Sequence, residues 1–273
     1  MKPLKMFCIT VNPKHLELIN KIKYVPVGLG NNSFSKKWIT DDTEDNMSNK
    51  NKFYGEYTFH YWIWKNNINK LKDGWIGFCQ YRKFWCVKNI NIDNITFEEF
   101  KKNILKEVPS EYEKYDAIIG EPIYTNEFRF SKFIKHNLAT MIKEPIFFFD
   151  KRKRNIKFQF DMMHGKNNLD KAIELLDIDD RSDFRDFVNN SVCFNPHNMF
   201  ICKSKKILQK YYDSVFPWLF RCEKIFNFKD LHGYGLQRIY GFLAERYLSF
   251  WFQKYTNYRT MPIIFKDVSD YLN

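Results

Sequence analysis

The sequence predicts an α/β fold: a mostly parallel or mixed sheet flanked by helices, with a helical C-terminal region. Three observations carry that expectation. Apolar runs at 5–11, 74–81 and 116–120 alternate with helical patterns, the order that builds a parallel sheet with helices on both faces. Turn residues bound these runs: Asn12-Pro13, Gly74 and Glu121-Pro122. From about residue 204 onward, two long helical patterns dominate.

The elements follow in order. Residues 5–11 (KMFCITV) are strand-like, and 24–28 (YVPVG) form a second extended segment ahead of Gly30-Asn31-Asn32-Ser33. A polar loop at 41–51 leads into a helix over about 52–67. Its Phe53, Tyr57, Tyr61 and Trp64 share one face, and Ser48 or Asn49 is placed to cap it. GWIGFCQY at 74–81 reads as a buried central strand. Thr96 and Glu99 have capping-box spacing and start a helix over about 96–107. DAIIG at 116–120 is another buried strand, whereas about 123–160 is irregular, aromatic and basic. A helical pattern covers 161–188 and an extended run 194–203. A long helix over about 204–226 carries Ile207, Tyr211, Val215 and Trp218 on one side, with Pro217 expected to kink it. A last helix spans about 234–254, and MPIIF closes with a strand.

Composition narrows the classes. At 273 residues the chain makes one large domain or two small ones. A hydrophobic share of 44% and a charged share of 28% exclude a disordered or fibrous chain. Aromatics reach 19%, so rings must fill a core, a pocket or an interface. No stretch is apolar enough to span a membrane, and the N-terminal apolar run is too short for a signal segment, which reads as a soluble, intracellular protein. The six cysteines show no CxxC pair and read as buried thiols. A net charge of +12 suits nucleic acid, an anionic membrane face or a phosphorylated substrate. The run Lys151–Arg154 fits either a solvated face or adhesion to anionic lipid.

No dinucleotide-binding, P-loop, serine-hydrolase or zincin motif is present. Four segments could carry chemistry. Asp41, Asp42, Glu44 and Asp45 crowd like charges into one loop with Asn46, which an exposed acidic turn or a sugar- or metal-facing site would explain. Lys50, Asn51 and the helix start beyond them suit a phosphate. Gln80-Tyr81-Arg82-Lys83 ends the central strand, where ligands bind in open α/β sheets. There Arg82 would grip a diphosphate as a fork and Lys83 as a point charge. Asn195 to Phe200 is a polar turn feeding a strand, with His197 and Asn198 near the sheet edge. Finally, Arg238, Glu245 and Arg246 put charge on an aromatic helix, where a buried pair needs a partner or a ligand.

These segments, in this order, resemble the bacterial capsular-polysaccharide-synthesis glycosyltransferases. DDTEDN parallels that family's DDTGDN loop, KNKFYGEYTFHYWIWKN its KN…Y.E.T..YW.WKN run, QYRKF its HYRRYF strand end, NMFIC its NMFIM strand, and GFLAER its GF..ER helix. The order and approximate spacing agree over about 5–265. Gln80 stands where the family has His, Lys83 where it has a second Arg, and Glu44 where it has Gly; His197 has no family counterpart.

The resemblance implies a GT-A-like, Rossmann-like glycosyltransferase domain over 1–273. About 1–122 would be its nucleotide-sugar half, about 123–160 an insertion or lid, and about 161–273 its acceptor half. It further implies a nucleotide-sugar donor, UDP-galactofuranose first among those to test. The acceptor would be a growing, lipid-linked capsular glycan. The location would be cytoplasmic, with peripheral contact to the anionic inner membrane, and nucleic acid is not expected. Carried onto this chain, Tyr81, Arg82, Lys83, Lys50 and Asn51 would hold the donor diphosphate, and Asp41, Asp45, Asn46, Asn198 and Arg246 sugar or acceptor; His197 joins the sugar or acceptor set by its place beside Asn198 and not by the resemblance. Inverting transfer needs a carboxylate base, for which Glu245 and Asp42 are the candidates. No cofactor is certain from the sequence: a divalent cation, Mn2+ or Mg2+, is the candidate, with Arg82 and Lys83 as the alternative that neutralises the leaving diphosphate in its place. Asp177-Ile178-Asp179 has the spelling of a metal motif but ends an amphipathic helix. A non-catalytic capsule-assembly scaffold and a basic nucleic-acid-binding protein remain the alternatives.

Overall fold

The computed structural model describes residues 3–127 and 150–272. Most of the segment expected to be an insertion or lid, 128–149, lies outside the described residues. The chain divides into two compact units: Met1–Glu121, His197–Ser214 and Trp251–Asn273 form the first, Pro122–Pro196 and Val215–Phe250 the second.

The strands are β1 (Leu4–Thr10), β2 (Val25–Gly28), β3 (Ile39–Thr40), β4 (Trp75–Gln80), β5 (Lys83–Trp85), β6 (Ala117–Gly120), β7 (Ile123–Tyr124), β8 (Cys193–Phe194), β9 (Phe200–Cys202), β10 (Tyr258–Met261) and β11 (Ile263–Phe265). In the first unit they form a nine-stranded sheet in the order β10-β6-β9-β4-β1-β2-β3, with β5 and β11 extending from β4. β1 pairs in parallel with β2 and β4, β2 with β3, and β6 with β10. β9 runs antiparallel between β4 and β6. The carboxyl ends of β1, β2, β3, β4 and β6 therefore share one edge with the start of β9, so the sheet is mixed and mostly parallel, as its alternating elements predict.

Side-chain alternation explains why this sheet is buried on both faces. Phe7 and Phe78 are cross-strand partners and stack at 5.5 Å. Phe59, from the helix Tyr57–Trp62, closes on Phe7 at 5.5 Å. Met6, Cys8 and Cys79 face the other way into a cluster with Trp75, Phe84, Trp85 and Phe100. All six cysteines are free and five are buried, in keeping with their place in apolar runs.

The second unit holds β7 paired with β8, and the helices Ile156–His164, Asn168–Glu174 and Ile178–Asn190. Its core is a ring cluster around Phe184, which meets Trp218, Tyr247 and Phe250. Trp218 Nε1 donates to the Ala172 carbonyl at 2.7 Å, which satisfies a buried donor.

Several elements differ from the sequence expectation. The helix expected over 52–67 is broken by Gly55 (φ 60°, ψ −136°) into Asn51–Tyr54 and Tyr57–Trp62, and neither Ser48 nor Asn49 caps it. The extended run 194–203 is two strands parted by a turn. The helical pattern from 161 starts earlier, at Ile156, inside the stretch read as irregular. Helix Lys205–Phe226 continues through Pro217, and the last helix is interrupted at Arg238. The Thr96–Glu99 capping box is present as expected. Lys151–Lys153 are exposed, but Arg154 is buried and donates to the Asn126 carbonyl at 3.4 Å, so a purely solvated basic run is not what forms. No described helix is long and apolar enough to cross a membrane.

A candidate active site at the carboxyl edge of the first unit

β4 and β5 form a hairpin in which Gln80 pairs with Lys83, leaving Tyr81 and Arg82 as its two-residue turn. The hairpin places both cations at the carboxyl edge, as the end of a central strand predicts. The turn is fastened on two sides: Tyr81 N–H donates to the Ile9 carbonyl at 3.0 Å, and Val268 N–H donates to the Tyr81 carbonyl at 3.0 Å. Arg82 lies over the Tyr81 ring at 4.6 Å, donates to its hydroxyl, and reaches Asp267 with Nε at 3.2 Å. The Arg82 side chain is still 61% exposed, so this pair is weak and open to exchange for another anion.

Lys83 points to a different partner. Its ammonium is 3.1 Å from His197 Nδ1. An ammonium only donates, so Nδ1 accepts and the ring proton sits on Nε2. Burial, assisted by the Lys83 charge, lowers the His197 pKa to about 3 and keeps the imidazole neutral. His197 and Asn198 sit at φ 80° and 53°, a left-handed turn that non-glycine residues adopt at a cost. Gln80 holds that turn by donating to the His197 carbonyl at 3.1 Å, and Asn198 Nδ2 donates to Glu56 Oε1 at 2.9 Å. Gln80 thus acts as a fastener, a task that needs a donor and no titrating proton.

The acidic loop resolves into parts with different environments. Asp41 is buried at the end of β3. Burial raises its pKa, with the neighbouring Asp42 adding to the rise and a hydrogen bond from Thr58 opposing it. Its Oδ2 has no partner among the described residues. Asp42 is exposed. Asp45 accepts from Tyr61 at 2.9 Å, and Asn46 accepts from Ser48 N–H at 3.2 Å. The repulsion the sequence suggests is therefore relieved by exposure and hydroxyl donors.

Lys50 ends a short 3-10 turn, and Asn51 donates from Nδ2 to the Gly55 carbonyl at 3.0 Å and to Thr58 at 3.2 Å. Because Gly55 stops the helix after Tyr54, the macrodipole invoked for a phosphate there shrinks to a single turn. Glu245 and Arg246 fall in the second unit, paired to each other. The Arg246 guanidinium is buried over Phe194 at 4.2 Å and donates to Gln159 Oε1 at 2.7 Å. That answers the need for partners raised by a charged pair on an aromatic helix.

The sequence reading missed three contributors. His15 bridges Thr10 Oγ1 (2.8 Å) and Ser269 Oγ (2.9 Å) beneath Tyr81. Asp267 meets Arg82, and Phe265 lies against His197. The apolar run MPIIF marks the strand that carries Phe265 but not which side chain faces out; burial of Ile264 and exposure of Phe265 come from strand pairing, and His15 and Asp267 have no signal in the sequence. Among the described residues no three carboxylate, imidazole or thiolate groups converge as a metal would need. Asp177 pairs with Arg221 at 2.9 Å.

This mixed, mostly parallel sheet flanked by helices is similar in fold to a solved glycosyltransferase. The apo structure of the bifunctional glycosyltransferase WbbM matches with a TM-score of 0.68 at 20% identity, covering 97% of this chain and 45% of that one. This chain thus spans less than half of that protein's length. The mannosyltransferase Ktr4p from S. cerevisiae matches at 10% identity over 90% of this chain and 62% of that one, with a TM-score of 0.28, too remote to support an argument. By sequence, residues 7–257 match the family described as Domain of unknown function (DUF4422), and the chain belongs to that family. No curated protein matches it.

Proposed function

We propose that this protein is a glycosyltransferase that moves a sugar from a nucleoside-diphosphate donor to a hydroxyl of a growing surface glycan. UDP-sugars are the favoured donors, UDP-galactofuranose among them, and a lipid-linked capsular glycan is the favoured acceptor. The observation that carries this reading is the hairpin turn that sets Arg82 and Lys83 at the carboxyl edge of a sheet with a glycosyltransferase fold.

The chemistry follows from charge. As the glycosidic bond to the donor breaks, the sugar approaches an oxocarbenium ion and negative charge grows on the departing diphosphate. Arg82 and Lys83 supply positive charge where that growth occurs, Arg82 by exchanging Asp267 for phosphate oxygens. The acceptor hydroxyl must lose its proton as it attacks, and the exposed Asp42 takes it in this reading. Glu245, the other carboxylate the resemblance suggests, belongs to the second unit with its carboxylate on Arg246, so Asp42 is the base this reading commits to. One-step attack of this kind inverts the anomeric centre. Without bound metal in the scheme, turnover should survive EDTA; loss in EDTA and recovery with Mn2+ would assign the charge stabilisation to a cation instead.

The deciding experiment is a thermal-shift panel of UDP-, GDP-, CMP- and dTDP-sugars on the wild type and on the Arg82→Ala/Lys83→Ala double variant. A ligand that binds the native state raises the melting temperature by mass action. One nucleotide class should stabilise the wild type and leave the double variant unmoved. Equal shifts in both proteins, or none in either, would refute the reading.

A further inference from the structure

Phe265 is the one exposed phenylalanine among the described residues, at 55%, in a chain of 28. Strand geometry puts it there by register. β11 pairs antiparallel with β5 so that Ile264 opposes Phe84 and Phe265 opposes Lys83. Ile264 and Phe84 are buried on one face; on the other, Trp85 is buried and Ile263 half-buried, so the cover on that face ends at the Phe265–Lys83 pair, where the phenyl ring reaches solvent. Gln80 pairs with Lys83 in turn, so Gln80, Lys83 and Phe265 line up across three strands on one face.

His197 touches all three. Its carbonyl accepts from Gln80, its Nδ1 from Lys83, and its ring meets Phe265 edge-on at 5.1 Å and 82°. The Lys83 ammonium is 5.9 Å from the Phe265 centroid. The turn that brings His197 into this place is held at φ 80°, a conformation that persists only where surrounding contacts enforce it. An outward aromatic ring, an ammonium at its side and a neutral imidazole locked against both make an amphipathic surface. Its apolar part suits the C–H face of a sugar ring, and its cation suits a phosphate attached to that ring.

We propose that Phe265, Lys83 and His197 form a platform for a sugar bearing an anomeric phosphate, the ring stacked on Phe265 and the phosphate against Lys83. This deepens the transferase reading and rests on it for the identity of the ligand's carrier. Two molecules contain this chemistry: the nucleotide-sugar donor and a lipid-diphosphate-linked acceptor.

The test compares wild type, Phe265→Ala and Phe265→Trp. Phe265 is exposed, so neither variant removes core packing, and melting temperatures check this. Calorimetric titration uses UDP, UDP-galactose, galactose 1-phosphate and a short-chain prenyl-diphosphate-linked N-acetylglucosamine. The expected result is a roughly tenfold loss of affinity for sugar phosphates in Phe265→Ala, the scale of ring stacking, with recovery in Phe265→Trp and unchanged binding of UDP. Loss confined to UDP-galactose assigns the platform to the donor, and loss confined to the prenyl-linked sugar assigns it to the acceptor. Equal affinities in wild type and Phe265→Ala for every sugar phosphate overturn the proposal, and they do so whether or not the protein transfers sugar. Phe265-dependent binding of galactose 1-phosphate by a protein that fails the nucleotide-sugar panel would keep the platform and remove the transferase reading.

Discussion

Asp41 and Gln80 show how much a single side chain's surroundings decide. Burial holds the Asp41 pKa above its ordinary value, so the native state binds its proton more tightly than the unfolded chain does. Stability then falls as pH rises through the interval above the unfolded carboxylate value, and the cost persists at neutral pH. Asp41→Asn should melt higher than wild type at pH 8, with the gap closing by about pH 4, while turnover drops. A melting temperature below wild type at pH 8 would show that the charge is compensated. Gln80→Ala removes the donor to the His197 carbonyl and should cost about 1 kcal/mol. If the left-handed turn depends on it, KM should rise more than that stability loss explains, and Gln80→His should restore part of the effect. Asp41 and Gln80 look alike in sequence to their polar neighbours; which is buried and which fastens a turn depends on residues 17 and 117 positions away, Thr58 and His197.

At the scale of elements, local chemistry and close approach divide the outcomes. The Thr96–Glu99 box acts within one turn, which is why spacing alone revealed it. Thr96→Ala should cost about 1 kcal/mol in chemical denaturation, and Thr96→Ser almost nothing. Gly235 is different. A Cβ there would sit 2.1 Å from the Met163 carbonyl oxygen, which is backbone and cannot yield. The approach also lets His164 Nδ1 meet the Gly235 carbonyl at 3.0 Å. Gly235→Ala should therefore destabilise the second unit by several kcal/mol, an outcome seen as loss of protection in hydrogen exchange across Ile156–His164. The split helix at Gly55 belongs here as well. Apolar spacing from Phe53 to Trp64 fits one helical face, yet it carries no record of a backbone reversal, so periodicity joined two helices into one.

For the whole molecule, pH sets a common test. His60, His164 and His197 are each held to about 3 by burial, with Arg246 reinforcing the effect at His164 and Lys83 at His197. The unfolded chain takes up protons on these rings below about pH 6.5 while the native state does not. The rings' contribution to stability should thus be full above that value and fall as pH drops toward 3, by up to about 1.4 kcal/mol per pH unit for each ring, against the single opposing slope of Asp41, which Asp41→Asn removes. Urea denaturation between pH 7 and 4 reads this slope directly; a flat profile would mean that the rings titrate alike in both states.

The sequence by itself determined the α/β class, the central strands, the capped helix and the edge of the sheet at which Arg82 and Lys83 emerge. These depend on alternation, apolar runs and turn residues, which act over a few neighbours and leave their pattern in the chain. Only the tertiary structure decided that Arg82 meets Asp267, that Lys83 and Phe265 flank His197, and that Arg246 lies buried on Phe194. Those partners are joined by strand register and by packing between distant segments. A pairing energy between residues far apart in the chain exists only once the backbone has brought them together, so no local pattern can announce it.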